Sequence, residues 1–244
     1  MRERAGPLTA ALAFLTVLPV GRRRAQRERE LARGVIWFPA VGALCGLVVA
    51  TVAWACSLML PAWPSAILAV ASGVALTAAL HLDGLGDVAD AVGASLTGRP
   101  PLEVMRDPRL GTFGVSAVAV DLLLQASVIA ALVDRFPWEI VAAGALGRVM
   151  PIALAIGHPY VGAGSGWVDG ISRRTRLGAA ALALAIAVPA AGVGALGMVA
   201  VGGVVSLGMG RWATRRLGGV TGDVLGAAAE LTFTLCLAVA LALR

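Results

Sequence analysis

The chain has 244 residues, of which 59% are hydrophobic and only 14% charged, with a mean hydropathy of +0.86. A soluble domain carries roughly 25% charged residues, so that class is excluded. No polar stretch is long enough to build a second core, and residues 1–244 read as a single membrane-embedded domain. The net charge of +6 rests on 20 arginines and no lysine, which points to anionic headgroups or an anionic substrate. Nucleic acid is disfavoured, because no basic face interleaved with aromatics lies outside the apolar runs.

The first apolar run, Pro7–Val20, falls short of the roughly 20 residues needed to cross hydrocarbon and reads as interfacial or re-entrant. Arginines rather than a small-residue cleavage site follow it, so it is not read as a cleavable signal. Beyond a basic block (Arg22, Arg23, Arg24, Arg27, Arg29, Arg33), Gly34–Leu60 and Pro64–Leu82 are long enough to span. Backbone amides in lipid must be satisfied within their own segment, so these runs are helices. Gly42 and Gly46 form a small-residue pair suited to close helix packing.

His81-Leu-Asp-Gly-Leu-Gly-Asp-Val-Ala-Asp90 closes the second run. Asp83, Asp87 and Asp90 stand at i, i+4 and i+7, within about 60° of one another on a helix. Like charges gathered on one face at a membrane boundary are costly. A solvated helix end is the bland reading, but the stretch carries no basic partner. Hard oxygen ligands on one face suit Mg²⁺ or Mn²⁺. Gly84 and Gly86 are expected to thin the helix beside the carboxylates and leave room for a bulky ligand, and His81 is left out of the metal shell.

Met105-Arg-Asp-Pro-Arg-Leu-Gly-Thr-Phe-Gly114 follows. Arg106 and Arg109 flank a proline turn just before the run Leu110–Val133, where helix-start amides and two guanidinium groups could clamp a phosphate. Ordinary positive-inside anchoring is the alternative. Asp121 in this run and Arg148 in the next, Trp138–Gly157, lie at matching depths if the two spans are antiparallel neighbours. They are expected to pair, and Arg148 could also reach an anionic substrate.

The run Leu177–Gly210 has arginines on both flanks (Arg173, Arg174, Arg176 before; Arg211, Arg215, Arg216 after). Both ends therefore face one side, which requires a hairpin turning near Pro189–Gly194, with glycines letting its arms approach closely. Val224–Leu243 is the last span. Its head carries Asp223 behind the flexible Gly218-Gly219…Gly222, and Glu230 lies two turns into apolar sequence, where an acid faces the bundle interior. The fold class is an all-α polytopic bundle with about seven crossings plus the short N-terminal segment. Cys45, Cys56 and Cys236 sit in apolar runs without metal-ligand spacing and read as small buried hydrophobes. Basic loops place the acids, Asp223 included, at the cytoplasmic face.

Across nearly its whole length the sequence resembles the cobalamin synthase (adenosylcobinamide-GDP ribazoletransferase) family. The likeness rests on Phe14-Leu-Thr-Val-Leu-Pro-Val20, Phe38-Pro-Ala-Val-Gly42, the 81–90 and 105–114 segments, and Gly218-Gly-Val-Thr-Gly-Asp-Val-Leu-Gly226. The resemblance implies a Mg²⁺-dependent enzyme of the bacterial cytoplasmic (inner) membrane. It would join adenosylcobinamide-GDP to α-ribazole or its 5′-phosphate and release GMP. On that basis Asp83, Asp87 and Asp90 are expected to hold the metal. Asp83, Asp87 and Asp223 are the catalytic candidates, and Arg106, Arg109, Arg148 and Glu230 the substrate-binding ones. Membrane lipids are the other expected partners; the sequence leaves room for a homo-oligomer without fixing the oligomeric state. Two rival readings are a CDP-alcohol phosphatidyltransferase, disfavoured because no arginine follows Asp83-Gly84 before Arg99, and an ion-coupled transporter, disfavoured because the acids sit at a span end.

Overall fold

The computed structural model describes residues 6–20, 28–162 and 166–244. Arg22, Arg23, Arg24 and Arg27 of the first basic block lie outside them. The helices are α1 (Pro7–Leu15), α2 (Glu28–Gly34), α3 (Phe38–Ser57), α4 (Ala62–Thr77), α5 (Leu80–Leu96), α6 (Pro101–Val104), α7 (Thr112–Leu132), α8 (Trp138–Gly157), α9 (Gly166–Asp169), α10 (Arg173–Ala191), α11 (Gly194–Leu217) and α12 (Gly222–Ala242). Among the described residues the only β-type pairing is an isolated bridge between Tyr160 and Val220.

Among the described residues six helical segments are long and apolar enough to cross a membrane, and counting the bent pair of α4 with α5 as one span gives seven. This agrees with the expected number, but the second span differs from its expectation. The run Pro64–Leu82 is not one helix: it breaks at Ala78 and Ala79, both left-handed (φ 50° and 57°), and turns by 92°. Successive non-glycine residues in that region are unfavourable. Here the Ala78 and Ala79 amides donate to Ala75 and Val74 carbonyls, closing α4. The aspartates therefore ride on a separate helix, α5, which runs across the starts of α7 and α12 instead of continuing the span.

The remaining spans alternate in direction. The starts of α3, α7, α10 and α12 lie at the end of the bundle where α4, α8 and α11 finish. Arg99, Arg106, Arg109, Arg173, Arg174, Arg176, Arg211, Arg215 and Arg216 all flank that end, whereas Arg135 and Arg244 flank the other. Among the described residues, α1 packs at the arginine-rich end, against α2 and the start of α3, and does not extend through the bundle.

Helix α8 is the hub, buried along most of its length and packed on α3, α10, α11 and α12. Gly42 and Gly46 of α3 abut the Gly144 and Ile140 carbonyls of α8, and a Cβ at Gly46 would fall 2.5 Å from the latter oxygen. That bears out the small-residue packing.

The 177–210 run is a hairpin turning at Gly192 (φ 55°), as expected, with arms of 19 and 24 residues. They are longer than the apolar run alone suggests because both helices extend into their flanking arginines. The arms do not pack closely on each other. Instead α10 lies on α8 and α11 on α12, with Gly197 against Val239 and Gly202 against Met150. Each arm buries more by covering a different neighbour. Cys45 and Cys236 are buried and Cys56 is half-buried, all three as thiols.

Candidate active site

Helix α5 is amphipathic in the literal sense. Leu82, Leu85 and Val88 bury against Leu154, Leu217 and Val224, while Asp83 is exposed and Asp87 half-buried on the other side. Close approach of α12 depends on Gly84. A Cβ there would stand 2.7 Å from the Asp223 carbonyl oxygen and 3.1 Å from its Cα. This corrects the expectation that Gly84 and Gly86 leave space for ligand. Asp223 backbone fills the first gap and the Leu110 side chain the second. At the head of α12, Thr221 caps the helix by accepting the Val224 amide at 3.3 Å, and its hydroxyl donates to Asp223 at 3.4 Å. Asp223 is thus fixed beside Asp83, as their common membrane level predicted.

The electrostatics follow from that placement. Partial burial, and then the negative fields of Asp223, Asp83 and Asp90, push the Asp87 carboxyl up to about 6. Among the described residues no arginine is ion-paired with any of these four acids. Hard carboxylate oxygens that repel one another and lack a basic counter-charge suit a divalent cation. Their oxygens are not drawn together: among the described residues no three acidic, histidine or cysteine side chains stand close enough to hold a metal. Asp90 faces α7, where Oδ2 accepts the Gly111 amide at 2.6 Å and Oδ1 the Gly114 amide at 2.8 Å. It caps the N-terminus of α7 from another helix.

In the 105–114 segment, Arg109 does not reach toward the acids. Its Nε and Nη2 grip Asp107 at 3.0 and 2.8 Å on the surface. Those hydrogen bonds hold the Asp107 carboxyl down at about 2. Arg106 is exposed, with no ion pair among the described residues.

Opposite, the chain leaving α8 is stitched to the chain entering α12. The Val220 amide donates to the Pro159 carbonyl at 2.7 Å and the Val161 amide to the Val220 carbonyl at 2.9 Å. The half-buried Tyr160 between them has its phenol pushed upward by burial and by Asp223. Tyr160 escapes sequence reasoning because it lies in a loop without a charge motif.

The expected Asp121–Arg148 pair does not form. Its premise was that α7 and α8 are neighbours, yet α12 packs against both and α7 barely touches α8. Gln125 Nε2 instead donates to Asp121 at 2.7 Å and to Glu230 of α12 at 2.8 Å, and lies 3.1 Å from the Thr234 hydroxyl. The i,i+4 spacing of Asp121 and Gln125 was the available signal. Arg148 is 8% exposed, and its Nε and Nη1 have no hydrogen-bond partner among the described residues.

Arg148 stands in the wall between two cavities. The smaller, about 40 Å³, is lined by Gln125, Glu230, Cys45 and the Gly42, Gly46 and Gly144 faces. The larger, about 210 Å³, reaches Asp83 and Asp223 and, apart from Arg148 and His81, is otherwise walled by apolar and aromatic residues. His81 lines this larger space, and its Nδ1 has no partner among the described residues.

Residues 7–241 match the model of the cobalamin-5-phosphate synthase family. The adenosylcobinamide-GDP ribazoletransferase of Roseiflexus sp. (strain RS-1) is 34% identical over 235 residues, covering 95% of this chain and 88% of that protein. The protein of the same name from Klebsiella pneumoniae subsp. pneumoniae is 38% identical, covering 91% and 94%. That from Stutzerimonas stutzeri (strain A1501) is also 38% identical, covering 92% and 93%. No solved structure matches the chain.

Proposed function

Because the chain belongs to the cobalamin-5-phosphate synthase family, we propose that it joins adenosylcobinamide-GDP to α-ribazole or α-ribazole 5′-phosphate. GMP is released, and the product is adenosylcobalamin or its 5′-phosphate. Family membership sets aside the phosphatidyltransferase and transporter readings. The observation that carries the mechanism is the packing of α5, with Asp83 and Asp87, against the α12 head at Asp223, these acids having no basic ion-pair partner among the described residues.

In the reaction a ribose hydroxyl oxygen attacks the phosphorus on the cobinamide side of the pyrophosphate. The bond from that phosphorus to the GMP oxygen breaks. Asp223, which lines the larger cavity with Asp83, accepts the hydroxyl proton and holds the nucleophile in place. Asp83 and Asp87 would hold Mg²⁺, with Asp90 adding to the negative field while it caps α7. A bound Mg²⁺ would neutralise charge on the pyrophosphate and the departing GMP.

Arg148, on the cavity wall with two unpartnered donors, contacts an anionic group of the substrate. Glu230 is enclosed with Gln125 in the smaller cavity, so its part in substrate binding is indirect, through the set of Arg148. Arg106, exposed in the loop before α7, would meet phosphate of the incoming nucleotide. Arg109 can do so only by leaving Asp107. The concentration of arginines at the site end supports a site facing the cytoplasm of a bacterial inner membrane.

The test is direct. Protein purified into liposomes receives adenosylcobinamide-GDP, α-ribazole and Mg²⁺, and GMP and the cobalamin product are measured. Formation of both only with Mg²⁺ is expected. Absence of product, or CMP release from a CDP-linked lipid, would overturn the reading.

A further inference from the structure

The family reaction brings together a very large corrinoid and a small nucleoside, and the two need different places. We infer that the larger cavity is the subsite for the flat two-ring base of α-ribazole, an assignment that rests on the reaction proposed above. Three features of the cavity carry it.

Its size is the first. At about 210 Å³ it matches one fused two-ring system better than a corrin macrocycle.

Its walls are the second. Phe14 and Phe38 stack with ring centroids 5.8 Å apart and planes 12° from parallel, and Trp167 leans on Phe14 at 6.0 Å. All three line the space. Aromatic faces favour a planar ring over a flexible acyl chain, because ring contacts add to the gain from burial alone. Ile152 and Ala155 of α8 extend this apolar wall.

The polar groups are the third, and they are few and convergent, as in small-molecule sites generally. Asp83 and Asp223 stand at the edge where the ribose hydroxyl must meet the pyrophosphate. The buried Arg148, with Nε and Nη1 unpartnered among the described residues, lies in the wall. A base seated among the rings leaves its ribose at the Asp223 edge, where the attacking hydroxyl is needed. No part of the donor has to enter the cavity. Phe14 and Phe38 therefore select the base, although they lie on helices remote in sequence from the acids.

Two substitutions in the full-length, liposome-reconstituted protein test this. Phe14→Ala removes the stacked face and Ala155→Leu fills the space from α8. Each is expected to raise the KM for α-ribazole by about tenfold or more, while the KM for adenosylcobinamide-GDP stays within about twofold of wild type. The unchanged donor KM also reports that the variant is folded. Equilibrium titration with α-ribazole alone, followed by intrinsic tryptophan fluorescence, should show binding to wild type and its loss in Ala155→Leu.

A rise in the donor KM with α-ribazole unaffected would give the cavity to the corrinoid or the guanine nucleotide and overturn the assignment. So would unchanged values for both, or a co-purifying lipid lost only in Ala155→Leu. Normal wild-type turnover with unmoved α-ribazole KM refutes the subsite alone. No wild-type turnover and no α-ribazole binding refute the reaction as well.

Discussion

Gln125 Nε2 lies 2.8 Å from Glu230 Oε1, joining α7 to α12 across 105 residues of sequence, and the same nitrogen donates to Asp121 at 2.7 Å. One neutral amide thus serves two buried acids within the span region. Replacing it with alanine leaves both without that donor, and a buried acceptor without a partner costs about 1–3 kcal/mol. Gln125→Ala should unfold at lower SDS fraction in mixed micelles than wild type. Turnover per folded molecule should fall less than stability does, since Gln125 lines only the smaller cavity. Unchanged unfolding would mean that water satisfies the acids and the amide is dispensable.

Gly84 sets the distance between the two acid-bearing helices. A methyl group there meets the Asp223 carbonyl at 2.7 Å, and backbone cannot swing aside as a side chain can. Gly84→Ala should displace the head of α12 and lower kcat by about 10²-fold, the scale of loss from an ångström of misplacement. Gly86→Ala meets only the end of Leu110 and should lose far less. Initial rates of GMP formation for the two variants, normalised to folded protein, decide the point; equal losses would show that α12 is not held by this contact.

Much of this arrangement was legible from local pattern. The i, i+4, i+7 spacing put three aspartates on one helix, and alternating arginine loops put Asp223 at their level; neither inference needs tertiary contacts. What failed depended on which helices touch. Pairing Asp121 with Arg148 requires consecutive spans to be neighbours, and nothing local says that α12 packs against both α7 and α8. The 92° break falls on Ala78-Ala79, residues with high helix propensity and no turn chemistry, so tertiary packing of α5 on α12 sets it. The aromatic wedge was equally hidden: Phe14, Phe38 and Trp167 share no motif and meet only in the folded chain.

Asp90 and Asp83 should separate cleanly on substitution. Asp90 uses both oxygens on the Gly111 and Gly114 amides, so Asp90→Asn keeps one acceptor and sets an N–H against another. A capping loss of about 0.5–2 kcal/mol is expected, with the Mg²⁺ concentration for half-maximal rate little changed. Asp83 makes no such bond among the described residues, and Asp83→Asn should leave stability near wild type while lowering kcat by about 10²–10⁴-fold. Paired thermal unfolding and Mg²⁺ titrations of the rate check both. A large rise in the Mg²⁺ requirement of Asp90→Asn would instead place Asp90 among the metal ligands.

The exposed Asp107–Arg109 fork bears on how the donor's phosphates are met. Arg109 hydrogen bonds hold Asp107 at about 2, below its ordinary value. Its share in the pairing is therefore complete above the usual aspartate range, and is lost only as pH falls through about 2. Between pH 5 and 8 the fork stays closed, so acid cannot release Arg109; a competing phosphate or removal of Asp107 can. Asp107→Ala should lower the KM for adenosylcobinamide-GDP by about two- to fivefold, the scale of a screened surface ion pair. That gain should shrink as salt rises, and the pH profile between 5 and 8 should keep its shape. Arg109→Ala should raise the same KM slightly, because in wild type the guanidinium is already engaged. A donor KM unmoved in Asp107→Ala at low salt would mean that Arg109 anchors the loop and never meets phosphate.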